Sequence, residues 1–163
     1  MHKIDEIIRN LKNYQSPLFK AYNGIIESKI TEFQKKIDFE LPIDFMSFLK
    51  ITNGAIILYE TIYGIYDETN PNDLYRNYLT EKNEVGNPIP KYFLPIYPDG
   101  YGNHYCLCLQ NNMHNSFGEV IFWQHDMNNN KTNVIASSFT NFLYDLYCDI
   151  TKEYNYDGTE RSI

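Results

Sequence analysis

The sequence lacks any apolar run approaching the roughly 20 residues that a membrane-spanning helix needs, so we expect no membrane association. Its three cysteines, Cys106, Cys108 and Cys148, are an odd number without the spacing of a disulfide framework. The N-terminal residues are charged and amphipathic, unlike a secretory signal. Together these absences predict a cytoplasmic globular protein with reduced thiols.

Cations are also scarce, and the negative charge is concentrated in the second part of the chain. Residues 1–54 carry eight basic and seven acidic side chains, whereas residues 55–163 carry six and fourteen. Binding to a phosphate backbone needs clustered cations, so nucleic acid is a poor partner. An anionic surface instead attracts a basic protein. The alternative is that the balance reflects only the acidity common among soluble proteins.

The hydrophobic pattern changes from helical to extended near residue 54. Apolar residues recur every three or four positions in three segments and predict three helices, over 3–14, 26–37 and 41–49. Pro42 suits the first turn of the third helix. Gly54 suits its end, because glycine readily adopts the left-handed conformation.

Turn-linked, β-rich runs then continue from Ala55 to Ile135. A last helix over Phe139–Ile150 follows, capped by Ser137 or Ser138. Helices, then strands, then a helix predict an α+β fold with a largely antiparallel sheet. At 163 residues, one domain spanning 1–163 is expected.

Two segments fit this pattern less well. Residues 67–92 are polar and irregular, with a helix around Asp73–Leu79. The tail from residue 152 is polar, and we expect it to fray.

The cysteine and histidine side chains are the candidates for a metal site or a nucleophilic pair. His104, Cys106 and Cys108 alternate and would share one face of a strand, near His125 or His114. Alternate strand positions lie roughly 7 Å apart, unlike the usual pairs of zinc ligands. A Cys–His nucleophilic pair would lack a group that orients the histidine. We therefore favour core packing of the cysteines, and we expect no enzyme, metal or cofactor.

The chain contains fifteen tyrosines, many of them near carboxylates in the acidic part. Tyrosine joins an apolar ring to a polar tip and is enriched at interfaces. One interpretation is an anionic, aromatic recognition surface; the other is that these rings pack around the rim of a small core. From this placement we predict six partner-binding residues: Glu60, Tyr63, Tyr66, Asp67, Asp99 and Tyr101. Trp123 is predicted to be a buried anchor whose truncation costs on the order of 3–5 kcal/mol.

Two groups of motifs, in order and spacing, resemble the SUKH superfamily. The first is Ile30-x-x-Phe33 followed by Leu41-Pro42-x-Asp44-Phe45-x-x-Phe48-Leu49-x-x-x-Asn53-Gly54. The second is Phe93-x-Pro95-Ile96, Asp99-Gly100-x-Gly102-Asn103-x-Tyr105-Cys106-Leu107, Gly118-Glu119-Val120-Ile121-Phe122-Trp123-x-His125 and Ala136-Ser137-Ser138-Phe139-x-x-Phe142-Leu143. The resemblance covers a core of residues 26–147.

The resemblance implies a curved, mainly antiparallel sheet flanked by helices, and a binding module without catalytic activity. Bacterial members are typically immunity proteins that neutralise a toxin, often a nuclease, whereas fungal members regulate cell-wall synthesis. We therefore expect an antitoxin that covers the basic active site of its toxin. The alternative is an intracellular scaffold that docks signalling or cell-wall synthesis partners.

Overall fold

The structure is a computed structural model that describes residues 3–83, 86–126 and 133–162. Its helices are α1 (Ile4–Leu11), α2 (Glu27–Ile37), α3 (Ile43–Ile51), α4 (Leu74–Asn83) and α5 (Phe139–Glu153). Its strands are β1 (Phe19–Ala21), β2 (Ala55–Ile57), β3 (Glu60–Ile62), β4 (Phe93–Pro98), β5 (His104–Cys108), β6 (Val120–Trp123) and β7 (Asn133–Ala136). None of the helices in these ranges is long and apolar enough to cross a bilayer.

The strands form two antiparallel sheets. One has the order β1-β2-β3, and the other has the order β4-β5-β6-β7. The backbone N–H of Tyr63, just after β3, donates to the carbonyl of Ile96 in β4 at 2.9 Å and links the two sheets. The α+β class and the antiparallel pairing are therefore confirmed. The single curved sheet that we expected is divided into two.

The main core lies between the helices and one face of the four-stranded sheet. The amphipathic pattern of α1 places its four apolar side chains inside. The rings of Phe45 and Phe48 on α3 pack edge-on against Phe139 on α5, with centroids 4.9 and 5.0 Å apart. Tyr97 of β4 packs against Phe142 of α5 at 5.9 Å, so the last helix covers this sheet.

The segment after α3 has tight backbone geometry. Gly54 has φ +81°, and a Cβ atom there would lie 2.8 Å from the carbonyl oxygen of Ile62. Both the left-handed backbone and the lack of space therefore require glycine at this position. The buried Asn53 side chain donates to the carbonyl of Ile65 at 2.7 Å and accepts from its N–H at 2.8 Å. Pro42 is the N-cap residue of α3, so it precedes the first helical turn in which the sequence placed it.

The composition of residues 55–60 predicts one strand, but the structure has a hairpin there. Ile57 pairs with Glu60, so Leu58 and Tyr59 form a two-residue turn. Both residues have positive φ, 51° and 71°. This turn normally uses Asn-Gly, and a left-handed conformation costs other residues about 1–2 kcal/mol each. The apolar and β-branched residues of this segment predict a continuous strand, and no Asn-Gly pair marks the turn.

The remaining comparisons concern residues 67–92 and the ends of the chain. The helix predicted within 67–92 is confirmed as α4. Strand β1 was not predicted, because three residues carry too little pattern. The tail was predicted to fray, but Tyr154 pairs with Glu160, and the Tyr156 ring packs 4.9 Å from Tyr14. The polar run at 128–131 predicts a turn, and it lies outside the described residues.

Candidate functional site

The turn between β4 and β5 is held by Asp99. Its Oδ1 accepts from the N–H of Tyr101 at 2.8 Å and that of Asn103 at 3.0 Å. Its Oδ2 accepts from the Asn103 side chain at 2.6 Å. Partial burial favours the neutral acid, but these hydrogen bonds outweigh it and lower the pKa of Asp99. The Asp99 carboxylate therefore shapes the turn and is already occupied.

The β2–β3 hairpin lies beside this turn. A Cβ atom at Gly100 would lie 2.8 Å from Oε1 of Glu60, so the carboxylate rests on the glycine backbone. Tyr59 and Tyr101 flank this contact in the sequence, and their side chains are 57% and 83% exposed. We call Tyr59, Glu60, Asp99 and Tyr101 the tip surface. In the part of the chain that the structure describes, no lysine or arginine forms an ion pair with Glu60.

Tyr63 lies beneath this surface. It is 6% exposed, and its hydroxyl is 3.4 Å from Nε2 of His104. Burial, together with the charges of Glu81 and Glu60, raises the pKa of Tyr63. In this conformation the Tyr63 side chain is therefore buried beneath the surface where the sequence predicts a contact.

Tyr66 and Asp67 lie next to α2, because Tyr66 and Phe33 line one small pocket and Glu68 is 3.3 Å from Lys36. The Tyr66 hydroxyl donates to the carbonyl of Asn53, and burial raises the pKa of Tyr66 to about 12. Asp67 is exposed and accepts from the N–H and hydroxyl of Thr69 at 2.9 and 2.8 Å, which lowers its pKa. Three of the six predicted residues thus lie on one surface, where Tyr101 is exposed and Glu60 and Asp99 are half-buried.

His104 lies between the tip surface and α4. Its Nδ1 is 3.7 Å from Oε2 of Glu81, and both side chains are nearly buried. Burial lowers the pKa of His104 to about 4, although the charge of Asp99 acts in the opposite direction. Burial likewise raises the pKa of Glu81. His104 is therefore neutral at pH 7, and its contact with Glu81 is not an ion pair.

The cysteines on β5 pack as the sequence suggested. Cys106 and Cys108 form a small buried cluster with Phe93 and Ile121, on the sheet face opposite the main core. Burial raises the pKa of both thiols, so thiolate is scarce at pH 7. His125 lies 2.9 Å from the Asn103 side-chain oxygen. The described residues contain no group of three or more His, Cys, Asp or Glu side chains arranged to hold a metal ion.

A second surface feature, a groove of about 760 Å³, lies between α1, α3 and the start of α5. Ile43, Ile51 and Phe117 line it and are 79%, 38% and 43% exposed. Beside it, Asp44 accepts from the N–H and hydroxyl of Thr140 at 2.8 and 3.1 Å and joins α3 to α5. We did not predict this groove. Its sequence signal was two isoleucines at positions of α3 outside the buried stripe.

The fold and these surfaces define an α+β domain of two small antiparallel sheets and five described helices, which exposes aromatic, acidic and apolar side chains. The chain belongs to the SMI1 / KNR4 family (SUKH-1), whose sequence profile matches residues 24–145. This confirms the resemblance. Membership supports a SUKH-type role in protein binding or immunity.

A solved structure from Pseudomonas syringae pv. tomato, described only as a protein, has a similar fold. It superposes with a TM-score of 0.65 at 18% sequence identity, over 90% of this chain and 99% of that chain. At this identity the similarity concerns the fold alone. No curated protein matches the chain.

Proposed function

We propose that this protein is a bacterial immunity protein that binds a basic toxin in the cytoplasm and covers the active site of that toxin. The toxin in this proposal is a nuclease. The observation that carries it is the tip surface, where Tyr101 is exposed and the Glu60 carboxylate has no cation of the described chain paired with it. No bond is made or broken; the toxin is inhibited by occlusion.

Charge supports a basic partner. A nuclease must be positively charged where it holds phosphate, whereas residues 55–163 of this chain carry fourteen acidic and six basic side chains. Opposite charges accelerate the encounter and disfavour wrong partners. The inhibitor would thus compete with nucleic acid for the same cations of the toxin.

The construction of the turn supports a binding surface that is ordered before contact. Asp99 fixes the turn through hydrogen bonds to Tyr101 and Asn103. A surface that is already ordered loses less entropy on binding. Asp99 thus acts by shaping the turn, and Glu60 and Tyr101 make the contacts.

The second candidate function is a scaffold that docks signalling or cell-wall synthesis partners. The groove on α3 favours it, because the exposed side chains of Ile43, Ile51 and Phe117 line it together, and a grouped apolar surface marks an interaction site. A scaffold of this kind would bind through Ile43 and would not depend on Glu60. Variants at these two positions therefore separate the two functions.

The test is co-expression with each product of the adjacent genes, followed by co-purification and a nuclease assay. We expect one adjacent product to be toxic alone, to form a stoichiometric complex with this protein and to lose nuclease activity in it. Replacing Ile43 by Ser should leave the complex intact, and replacing Glu60 by Lys should weaken it. If no adjacent product is toxic or binds, the immunity function is rejected.

A further inference from the structure

The β2–β3 hairpin combines a strained backbone with an exposed ring. Leu58 and Tyr59 both adopt positive φ in a turn where Asn and Gly would fit without strain. Leu58 packs against the core, which accounts for its side chain. Tyr59 is 57% exposed, and the interior gains little from it. An exposed tyrosine at a strained position points to a use outside the fold.

The surroundings of Tyr59 define that use. Its ring stands edge-on to Tyr154, with centroids 6.4 Å apart, which limits its movement. The next residue, Glu60, presents a carboxylate against the backbone of Gly100. Tyr101 follows that glycine and is 83% exposed. Two exposed tyrosines therefore adjoin, in the sequence, the two residues through which the hairpins touch, Glu60 and Gly100.

We propose that the tip surface binds an arginine side chain of the partner. The guanidinium would form paired hydrogen bonds with the Glu60 carboxylate and pack against the faces of Tyr59 and Tyr101. Arginine fits better than lysine because its planar group makes two parallel bonds to a carboxylate, stacks on rings and is weakly hydrated. The proposal rests on the proposed function and names the group of the basic partner that is recognised.

The first test uses the full chain and a short probe peptide, acetyl-Gly-Arg-Gly-Arg-Gly-amide, with its lysine and citrulline counterparts. Amide chemical shifts are followed by NMR during titration. We expect shifts confined to residues 58–61 and 99–103, with affinity at least threefold higher for arginine than for lysine and no saturable binding of citrulline. Equal affinities for arginine and lysine, or shifts spread over the acidic surface, would overturn the proposal.

Variants separate recognition from folding. Tyr59→Asn suits the left-handed backbone and should keep the melting temperature of the wild type while weakening arginine-peptide binding at least threefold. Glu60→Gln should weaken it at least fivefold. Glu32→Gln, which removes an equal charge from an exposed position on α2, is the matched control and should change nothing. If Glu32→Gln weakens peptide binding as much as Glu60→Gln does, net charge alone explains the binding and the site is rejected.

The same variants distinguish this proposal from the immunity function. If an adjacent gene product binds the wild type, Tyr59→Asn and Glu60→Gln with equal affinity, the arginine site is rejected and the immunity function stands. If no adjacent product binds but the arginine peptide saturates the tip surface with the expected selectivity, the arginine site stands and the immunity function is rejected.

Discussion

Nδ1 of His104 lies 3.7 Å from Oε2 of Glu81, so β5 and α4 meet through an imidazole and a carboxylate that are both nearly buried. The distance is longer than a hydrogen bond, and Nδ1 has no hydrogen-bond partner within the described ranges. On the other side of the ring, the Tyr63 hydroxyl is 3.4 Å from Nε2. The contact joins residues 67–92 to the four-stranded sheet, and its energy depends on pH.

Acidification should destabilise the protein through His104. Its pKa is lowered from 6.5 to about 4, mainly by burial. Between these values the unfolded chain binds a proton that the folded chain does not, so the free energy of unfolding falls as pH drops through this window. We expect His104 to contribute about 2 kcal/mol less stability at pH 5 than at pH 7.5. Urea unfolding at both pH values measures this.

His104→Gln removes the titrating group and should flatten this pH dependence by the same amount. Nearby titratable groups face the ring from three sides: Glu81 on α4, Asp99 in the β4–β5 turn and His125 after β6. The effect of Glu81 on the free energy of unfolding has the opposite sign. Its pKa is raised in the folded state, so as pH falls the folded chain binds this proton before the unfolded chain does and is stabilised by it. Glu81→Gln should therefore steepen the loss on acidification. Equal pH profiles for the wild type and His104→Gln would contradict the assignment.

Replacing Asn53 by Ala should destabilise the fold by about 2–3 kcal/mol. The Asn53 side chain is buried and makes two hydrogen bonds with the backbone of Ile65, so its loss leaves a donor and an acceptor unpaired. Asn53→Asp keeps the shape and the acceptor but cannot donate, and should also be destabilised. Chemical denaturation measures both. An effect below 0.5 kcal/mol for Asn53→Ala would show that water replaces the side chain.

Helices α1, α2, α3 and α5 were predictable because apolar residues recur every three or four positions along each of them. Ile4, Ile7, Ile8 and Leu11 are all buried, and Ser138 caps α5 by accepting from the N–H of Asn141. The hairpin at Leu58 and Tyr59 was not predictable, since neither residue signals a turn. Its left-handed backbone is imposed by the pairing of Ile57 with Glu60 and by the linked sheets. Tertiary structure overrode local preference there.

The tip surface was predictable only in part. Charge and tyrosine content pointed to Glu60, Asp99 and Tyr101, but composition does not show on which side of a strand a residue lies. Tyr63 is one of the residues on the hidden side. Tyr59 was missed as a contact residue because its exposure depends on the unpredicted turn.

Trp123 corrects a sequence expectation. The indole was predicted to be buried, but it is only partly buried and packs against both hydrophobic clusters, with its ring centroid 6.3 Å from that of Phe93. Trp123→Ala should therefore cost about 2 kcal/mol, below the 3–5 kcal/mol typical of a buried tryptophan. Its buried Nε1 has no hydrogen-bond partner among the described residues. Trp123→Phe should consequently cost less than about 1 kcal/mol, and thermal unfolding of both variants tests this order.

Charge reversal tests the attraction of a basic toxin. Asp99→Lys is a poor test, because Asp99 accepts three hydrogen bonds inside its turn and the change would disrupt the surface as well as its charge. Glu60→Lys avoids this problem. We expect it to slow association with the toxin about three- to tenfold at low salt and to reduce the salt dependence of the rate.

Asp67→Lys, on the surface next to α2, is the control and should slow association less. Stopped-flow mixing at several salt concentrations measures the association rates of both variants. Equal effects of the two variants would mean that overall charge, and not the tip surface, directs the encounter.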